Sequence, residues 1–111
     1  MNSRSKGKRG ELEAAHLLQE YGYDARRSQQ FAGMNGDADV VGLPGMHIEV
    51  KRVEKLNLEN AMEQSARDAR ENEIPIVLHR KNRCEWLVTM AFTDWMELYQ
   101  AWEKENERIK R

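Results

Sequence analysis

Residues 36–52 read Gly-Asp-Ala-Asp-Val-Val-Gly-Leu-Pro-Gly-Met-His-Ile-Glu-Val-Lys-Arg, and no other stretch restricts the fold as tightly. Two runs with β-branched residues flank a Gly-Leu-Pro-Gly turn signal, which specifies a hairpin with strands over Ala38–Gly42 and Met46–Arg52. Side chains alternate along a strand, so Met46, Ile48 and Val50 take one face while His47, Glu49 and Lys51 take the other. Loop length then decides which residues meet. A three-residue loop of Leu43, Pro44 and Gly45, with Gly45 left-handed, pairs Gly42 with Met46 and Asp39 with Glu49, and both carboxylates share a sheet face. A loop one residue shorter or longer sets Asp39 opposite Ile48, and the carboxylates then meet only through a bulge or strong twist.

Two carboxylates and an amine converging on one strand pair suit hydrolysis of a phosphodiester. Asp39 and Glu49 offer hard oxygen ligands to Mg²⁺, an ion that keeps several of its waters and also binds a phosphate oxygen. Such an ion neutralises charge in the transition state and lowers the pKa of an attacking water. Lys51, on the strand face of Glu49, is placed to hold that water or the scissile phosphate. The pattern is not specific by itself, because exposed strands pair Glu with Lys at alternate positions.

The preceding segment adds weight. Ala14, Leu17, Leu18 and Tyr21 fall at helical spacing and predict a helix over residues 10–21, stopped by Gly22. At about 100° per residue, Glu11 lies in line with Ala14, Ala15 and Leu18, whereas Glu13, His16 and Glu20 point to the opposite face. A carboxylate on the buried side calls for a metal ion, a basic partner or the open end of a cleft.

Tyr23–Ser28 alternates as a half-buried strand, and residues 29–36 read as a loop. After the hairpin, Asn57 is a fair N-cap for a helix to about Arg70, whose small residues Ala61, Ser65, Ala66 and Ala69 suit close packing on a sheet. Ile74–Arg80 and Glu85–Met90 follow as strands, and a last helix starts after Thr93 with a stripe of Trp95, Leu98, Tyr99 and Trp102. At such spacing, aromatic residues read first as core and second as an apolar dimer face that Trp86 would join. The order αβββαββα describes one α/β (α+β) domain over residues 1–111, with a central mixed sheet flanked by helices. Residues 1–9 read as a basic flexible arm and 104–111 as a charged, frayed end.

Composition closes off other classes. With 40% hydrophobic and 33% charged residues and no long apolar run, neither a membrane span nor a signal peptide is expected, and a cytoplasmic location is. Cys84 is the single cysteine, which excludes an internal disulfide and reads as a small packing residue. The net charge of −1 does not mark a nucleic-acid binder, and its distribution matters more than the sum: Arg4, Lys6, Lys8 and Arg9 lead the chain, and Arg26-Arg27 and Lys51-Arg52 follow, a pattern open both to DNA contact and to a basic disordered tag with ordinary surface pairs.

Taken together, Gly7, Gly10-Glu11, Tyr21-Gly22-Tyr23, Arg27-Ser28, Asp39-Val40-Val41 and Ile48-Glu49-Val50-Lys51 resemble nucleases of the PD-(D/E)XK superfamily, specifically the small Holliday junction resolvases of archaea and bacteriophages. His79-Arg80-Lys81-Asn82-Arg83 and Trp86-Leu87-Val88-Thr89-Met90 look like the phage-encoded members. The resemblance implies a restriction-endonuclease-like core and Mg²⁺ (with Mn²⁺ as substitute) held by Asp39, Glu49 and the Val50 carbonyl. It implies Lys51 as the catalytic lysine, Glu11 as a further acidic contact on a metal-bound water or second ion, and Arg27 on a backbone phosphate. Arg4, Lys6, Lys8, Arg9 and Arg52 would also contact DNA, and a two-fold homodimer would make two symmetric cuts in a four-way junction, in a host cytoplasm if the chain is phage-encoded. One departure is visible: Leu12 stands where archaeal-type enzymes tend to carry an arginine, a role open to Lys8 or Arg9. Two other readings stay open, a nuclease of the same superfamily acting on flaps, ends or duplex, and a catalytically silent DNA-binding module.

Overall fold

The computed structural model describes residues 3–28 and 38–110. Among them the elements follow in the predicted order: α1 (Ser3–Glu20), β1 (Arg26–Arg27), β2 (Val40–Val41), β3 (Met46–Arg52), α2 (Leu58–Asp68), β4 (Ile74–Arg80), β5 (Leu87–Met90) and α3 (Phe92–Lys110). The strands form one five-stranded sheet in sequence order, antiparallel except for the parallel pair β3 and β4. A parallel pair needs a long crossover, and α2 is that crossover. The fold is α+β with a mixed sheet, as the order of patterns predicts. The loop expected over residues 29–36 lies outside the described residues.

The central strand is covered on both faces. Ile48 and Val50 cluster with Ala14 and Ala15 of α1 and with Ile76 and Leu78 of β4. On the other face, Ser65 of α2 donates from Oγ to the Ile76 carbonyl at 3.0 Å and lies 3.4 Å from the His47 carbonyl. Small residues permit both approaches. A Cβ on Gly10 would stand 2.7 Å from the Cβ of Arg52, so only glycine lets α1 cross the end of β3 at this distance.

Turn chemistry sets the element ends. α1 stops at Gly22, whose φ is 94°; the Gly22 N–H bonds to the Gln19 carbonyl and the Tyr23 N–H to the Leu18 carbonyl. These bonds satisfy carbonyls that the helix end leaves free. Asn57 caps α2 as expected, its side-chain oxygen accepting from the Asn60 N–H at 3.1 Å. In the hairpin, Gly45 has a φ of 83° and Val40 pairs with Ile48, the register of the three-residue loop. Gly42 is also left-handed, with a φ of 107°, and a Cβ there would lie 2.2 Å from the Asp24 carbonyl oxygen. The segment entering β1 therefore passes directly against the hairpin.

Several expectations need correction. α1 begins at Ser3, so Arg4, Lys6, Lys8 and Arg9 ride on helical turns and not on a flexible arm. Lys and Arg are good helix formers and no proline interrupts them, so the basic run continues the helix. The charged C-terminal stretch likewise continues α3 to Lys110, and α3 starts at Phe92, before the expected Thr93 cap. β1 is shorter than Tyr23–Ser28 because the Tyr23 N–H serves the end of α1. Cys84 is exposed, at a turn and not in the core. Trp95 and Trp102 are 46% and 59% exposed, which removes them from the core reading.

Candidate active site

One cleft, of about 250 Å³, gathers most of the residues singled out from the sequence: Glu11 from α1, Asp39 beside β2, and Glu49, Val50, Lys51 and Arg52 from β3. Gly7, Val53 and Gln64 complete its wall. The cleft lies where α1 and α2, on opposite faces of the sheet, meet the end of β3. Gln64 flanks the small-residue stripe of α2, and Val53 carries no sequence signal of a role in the cleft.

Asp39 sits at a bend just before β2. Its N–H bonds to the Ile48 carbonyl at 2.9 Å, although Ile48 already faces Val40, so the ladder departs from strict register there. The bend turns the carboxylate along the neighbouring strand, and Oδ2 accepts from the Val50 N–H at 2.8 Å. Asp39 and Glu49 are thereby brought together as predicted, through the bend and not through a regular rung.

Glu49 is almost wholly buried, at 1% exposure. Its Oε1 lies 3.2 Å from Nε2 of His47, while Oε2 is buried and meets no hydrogen-bond donor among the described residues. Burial first, and the adjacent Asp39 carboxylate second, push the Glu49 carboxyl up to about 8, against a smaller opposing pull from Lys51. A carboxyl held this far above its ordinary range, with one oxygen lacking a donor, is a group that a cation would relieve.

Glu11 shows a milder form of the same effect. Burial and then Asp39 raise its pKa, and Arg27 opposes them through a 2.7 Å bond from Nε to Glu11 Oε1. Of the three conditions under which a buried-side glutamate is tolerable, Glu11 thus meets two, a basic partner and a cleft. Arg27 holds Glu11, a contact that the spacing of the two residues does not reveal. Arg52 lies on the cleft wall with Nη1 donating to Asn82 Oδ1 at 2.8 Å and Nε 3.4 Å from Glu13 Oε2. Glu13, expected on the opposite face, also accepts from Arg80 Nη1 at 2.7 Å, because both arginines reach from the sheet to the flank of α1. Lys8 and Arg9 are exposed on α1 near Gly7 and the cleft rim; Arg4 and Lys6 lie on the same helix. Among the described residues no three His, Cys, Asp or Glu side chains form a ready-made metal cage, which leaves Asp39 and Glu49 as a pair with Glu11 behind them.

Comparison with known proteins gives the family. Residues 2–111 match the profile of the family described as "Phage putative PDDEXK endonuclease". The chain belongs to this family. It is therefore an endonuclease of the PD-(D/E)XK type, and the mixed sheet flanked by helices fits that assignment. Among solved structures, this endonuclease is similar to Hjc, a Holliday junction resolvase from the archaeal hyperthermophile Archaeoglobus fulgidus. Identity is 26%, the TM-score is 0.58, and the match covers 77% of this chain and 72% of that one. No curated protein matches the chain.

Proposed function

We propose that this endonuclease is a Mg²⁺-dependent Holliday junction resolvase, acting as a homodimer in DNA recombination in the cytoplasm of a host cell. The observation that carries the metal dependence is the buried, donor-free Oε2 of Glu49 beside Asp39. The donor set is hard oxygen, which fits Mg²⁺ and, as a substitute, Mn²⁺. Asp39, Glu49 and the Val50 carbonyl would hold the ion, and Glu11, with Arg27 on its Oε1, would hold a water beside it. Once bound, the ion supplies charge neutralisation at the phosphate and a water of lowered pKa.

The chain's own residues do the rest. Lys51, in the same cleft, holds the phosphate oxygen or orients the attacking water. The Val50 N–H locks the Asp39 carboxylate through Oδ2. Lys8 and Arg9, with Arg4 and Lys6 on the same helix, run along the backbone of the DNA arm entering the cleft. Likeness to a resolvase over most of both chains supports the junction as substrate.

The dimer reading rests on α3, which has no extensive packing against another element among the described residues. Phe92, Trp95, Tyr99 and Trp102 recur at alternating spacings of three and four, lie next to one another with ring centroids 5.4–6.2 Å apart, and are 37–72% exposed. That spacing is the seam of a two-stranded coil, and a second copy of α3 supplies the matching stripe.

Cleavage of a synthetic four-way junction, a flap and a linear duplex at equal concentration, with and without Mg²⁺, tests the proposal. The junction should be cut preferentially and only with metal, and Lys51→Ala should lower the rate by at least about 100-fold while junction binding persists. Equal cutting of all three substrates would overturn the junction assignment, and cutting in chelator would overturn the metal.

A further inference from the structure

His47 stands on β3 two residues before Glu49 and therefore on the same face, and it is 1% exposed. It is built into the fold from three sides. Its carbonyl lies 3.4 Å from Ser65 Oγ of α2; its Nδ1 faces Glu73 Oε1 at 3.7 Å; its Nε2 is 3.2 Å from Glu49 Oε1. Glu73 is itself fixed, its Oε1 accepting from the Arg70 N–H at 2.9 Å. The imidazole cannot swing away without breaking into packed sheet or helix.

We propose that His47 is a positioning residue: its Nε2–H donates to Glu49 Oε1 and so leaves Oε2, the oxygen without a donor, as the one that meets the cation. The inference rests on the metal reading of the cleft given above. A carboxylate ligating a cation carries no proton, so the hydrogen between Glu49 and His47 belongs to the imidazole. A carboxylate with two free oxygens turns about its last bond and spreads over two binding modes; one oxygen tied to a buried ring holds a single mode. Outer-sphere partners of this kind set both ligand orientation and ligand basicity.

Glutamine and asparagine separate this role from mere packing. The amide nitrogen of His47→Gln falls near the place of Nε2 and restores the donor to Glu49, whereas that of His47→Asn falls near Nδ1 and does not. His47→Leu fills the site with no donor. Mn²⁺ binding to the DNA-free protein, followed by calorimetry and by the electron paramagnetic resonance of free Mn²⁺, is the readout, with thermal unfolding in chelator as the check on folding. The Gln variant should bind within a few-fold of the parent, and the Asn and Leu variants about 10- to 100-fold more weakly. The Mg²⁺ concentration giving half-maximal cleavage should rise in the same order. Equal affinity in all variants overturns the positioning role. Gln as weak as Leu, or Asn as tight as Gln, overturns the Nε2–H donor even when all are folded. A parent that binds no Mn²⁺ sinks the metal reading itself, an outcome distinct from the others. Should the Leu variant fail to fold, the Gln and Asn pair still decides.

Discussion

Replacing Glu49 by glutamine should stabilise the metal-free protein, and by an amount that depends on pH. In the fold the Glu49 carboxyl is raised from 4.5 to about 8, by burial and by the facing Asp39 carboxylate. A group whose folded pKa lies above its unfolded value stabilises the fold fully below the unfolded pKa. That contribution is lost as pH rises toward the folded one. Between pH 4.5 and 8 the unfolded chain releases a proton that the folded chain keeps. At about 1.36 kcal/mol per unit, roughly 3 kcal/mol is forfeited by pH 7, and little more above pH 8. The substituted glutamine carries no ionisable proton, and its amide can donate to Asp39 while its carbonyl accepts from His47. The variant should therefore match the parent near pH 4.5 and unfold with roughly 3 kcal/mol more stability at pH 7, a rise of roughly 10–20 °C in Tm for a domain of this size. Urea and thermal unfolding in chelator, at one protein concentration from pH 4.5 to 8.5, measure it. Adding Mg²⁺ should then stabilise the parent, by about 2.7 kcal/mol at a hundred times its Kd, and leave the variant unmoved. A gap between the two proteins that does not change with pH would refute the assignment of the raised pKa to Glu49.

Other consequences are equally open to measurement. Changing Arg4, Lys6, Lys8 and Arg9 to glutamine should flatten the dependence of DNA affinity on salt by up to about 0.9 for each phosphate no longer neutralised, with little effect on the rate of bound substrate. An unchanged slope in a binding titration would remove the start of α1 from the DNA interface. Gly42→Ala should cost about 3 kcal/mol or more, since its φ of 107° and a 2.2 Å approach to the Asp24 carbonyl oxygen leave no space for a methyl group. Thermal unfolding should show a fall of more than about 10 °C, with the β1–β2 hydrogen bonds exchanging first. Trp95→Glu together with Trp102→Glu should give a monomer by light scattering while leaving the Tm of the sheet domain nearly unchanged. A dimer that survives both charges would place the interface elsewhere.

The sequence by itself determined the order of elements, the ends of β3 and β4 to the residue, the glycine stop of α1, the Asn57 cap and the three-residue hairpin loop. These are local properties, since period, turn residues and caps act over a few positions and leave their mark in spacing. Asp39, Glu49 and Lys51 were legible for the same reason, and Glu11 because a carboxylate on an apolar helix face contradicts its surroundings. Only the tertiary structure decided what lies on both sides of β3. His47 and Glu49 look like the solvent half of an alternating strand, and they are buried because the α2 crossover returns over that face. The pairing of Arg27 with Glu11 and of Arg52 and Arg80 with Glu13 joins residues distant in the chain, so no periodicity announces it. The aromatic stripe of α3 reads the same whether it packs inward or outward, because spacing specifies a face and not its partner. Here the sheet is already covered by α1 and α2, and the stripe stays largely exposed.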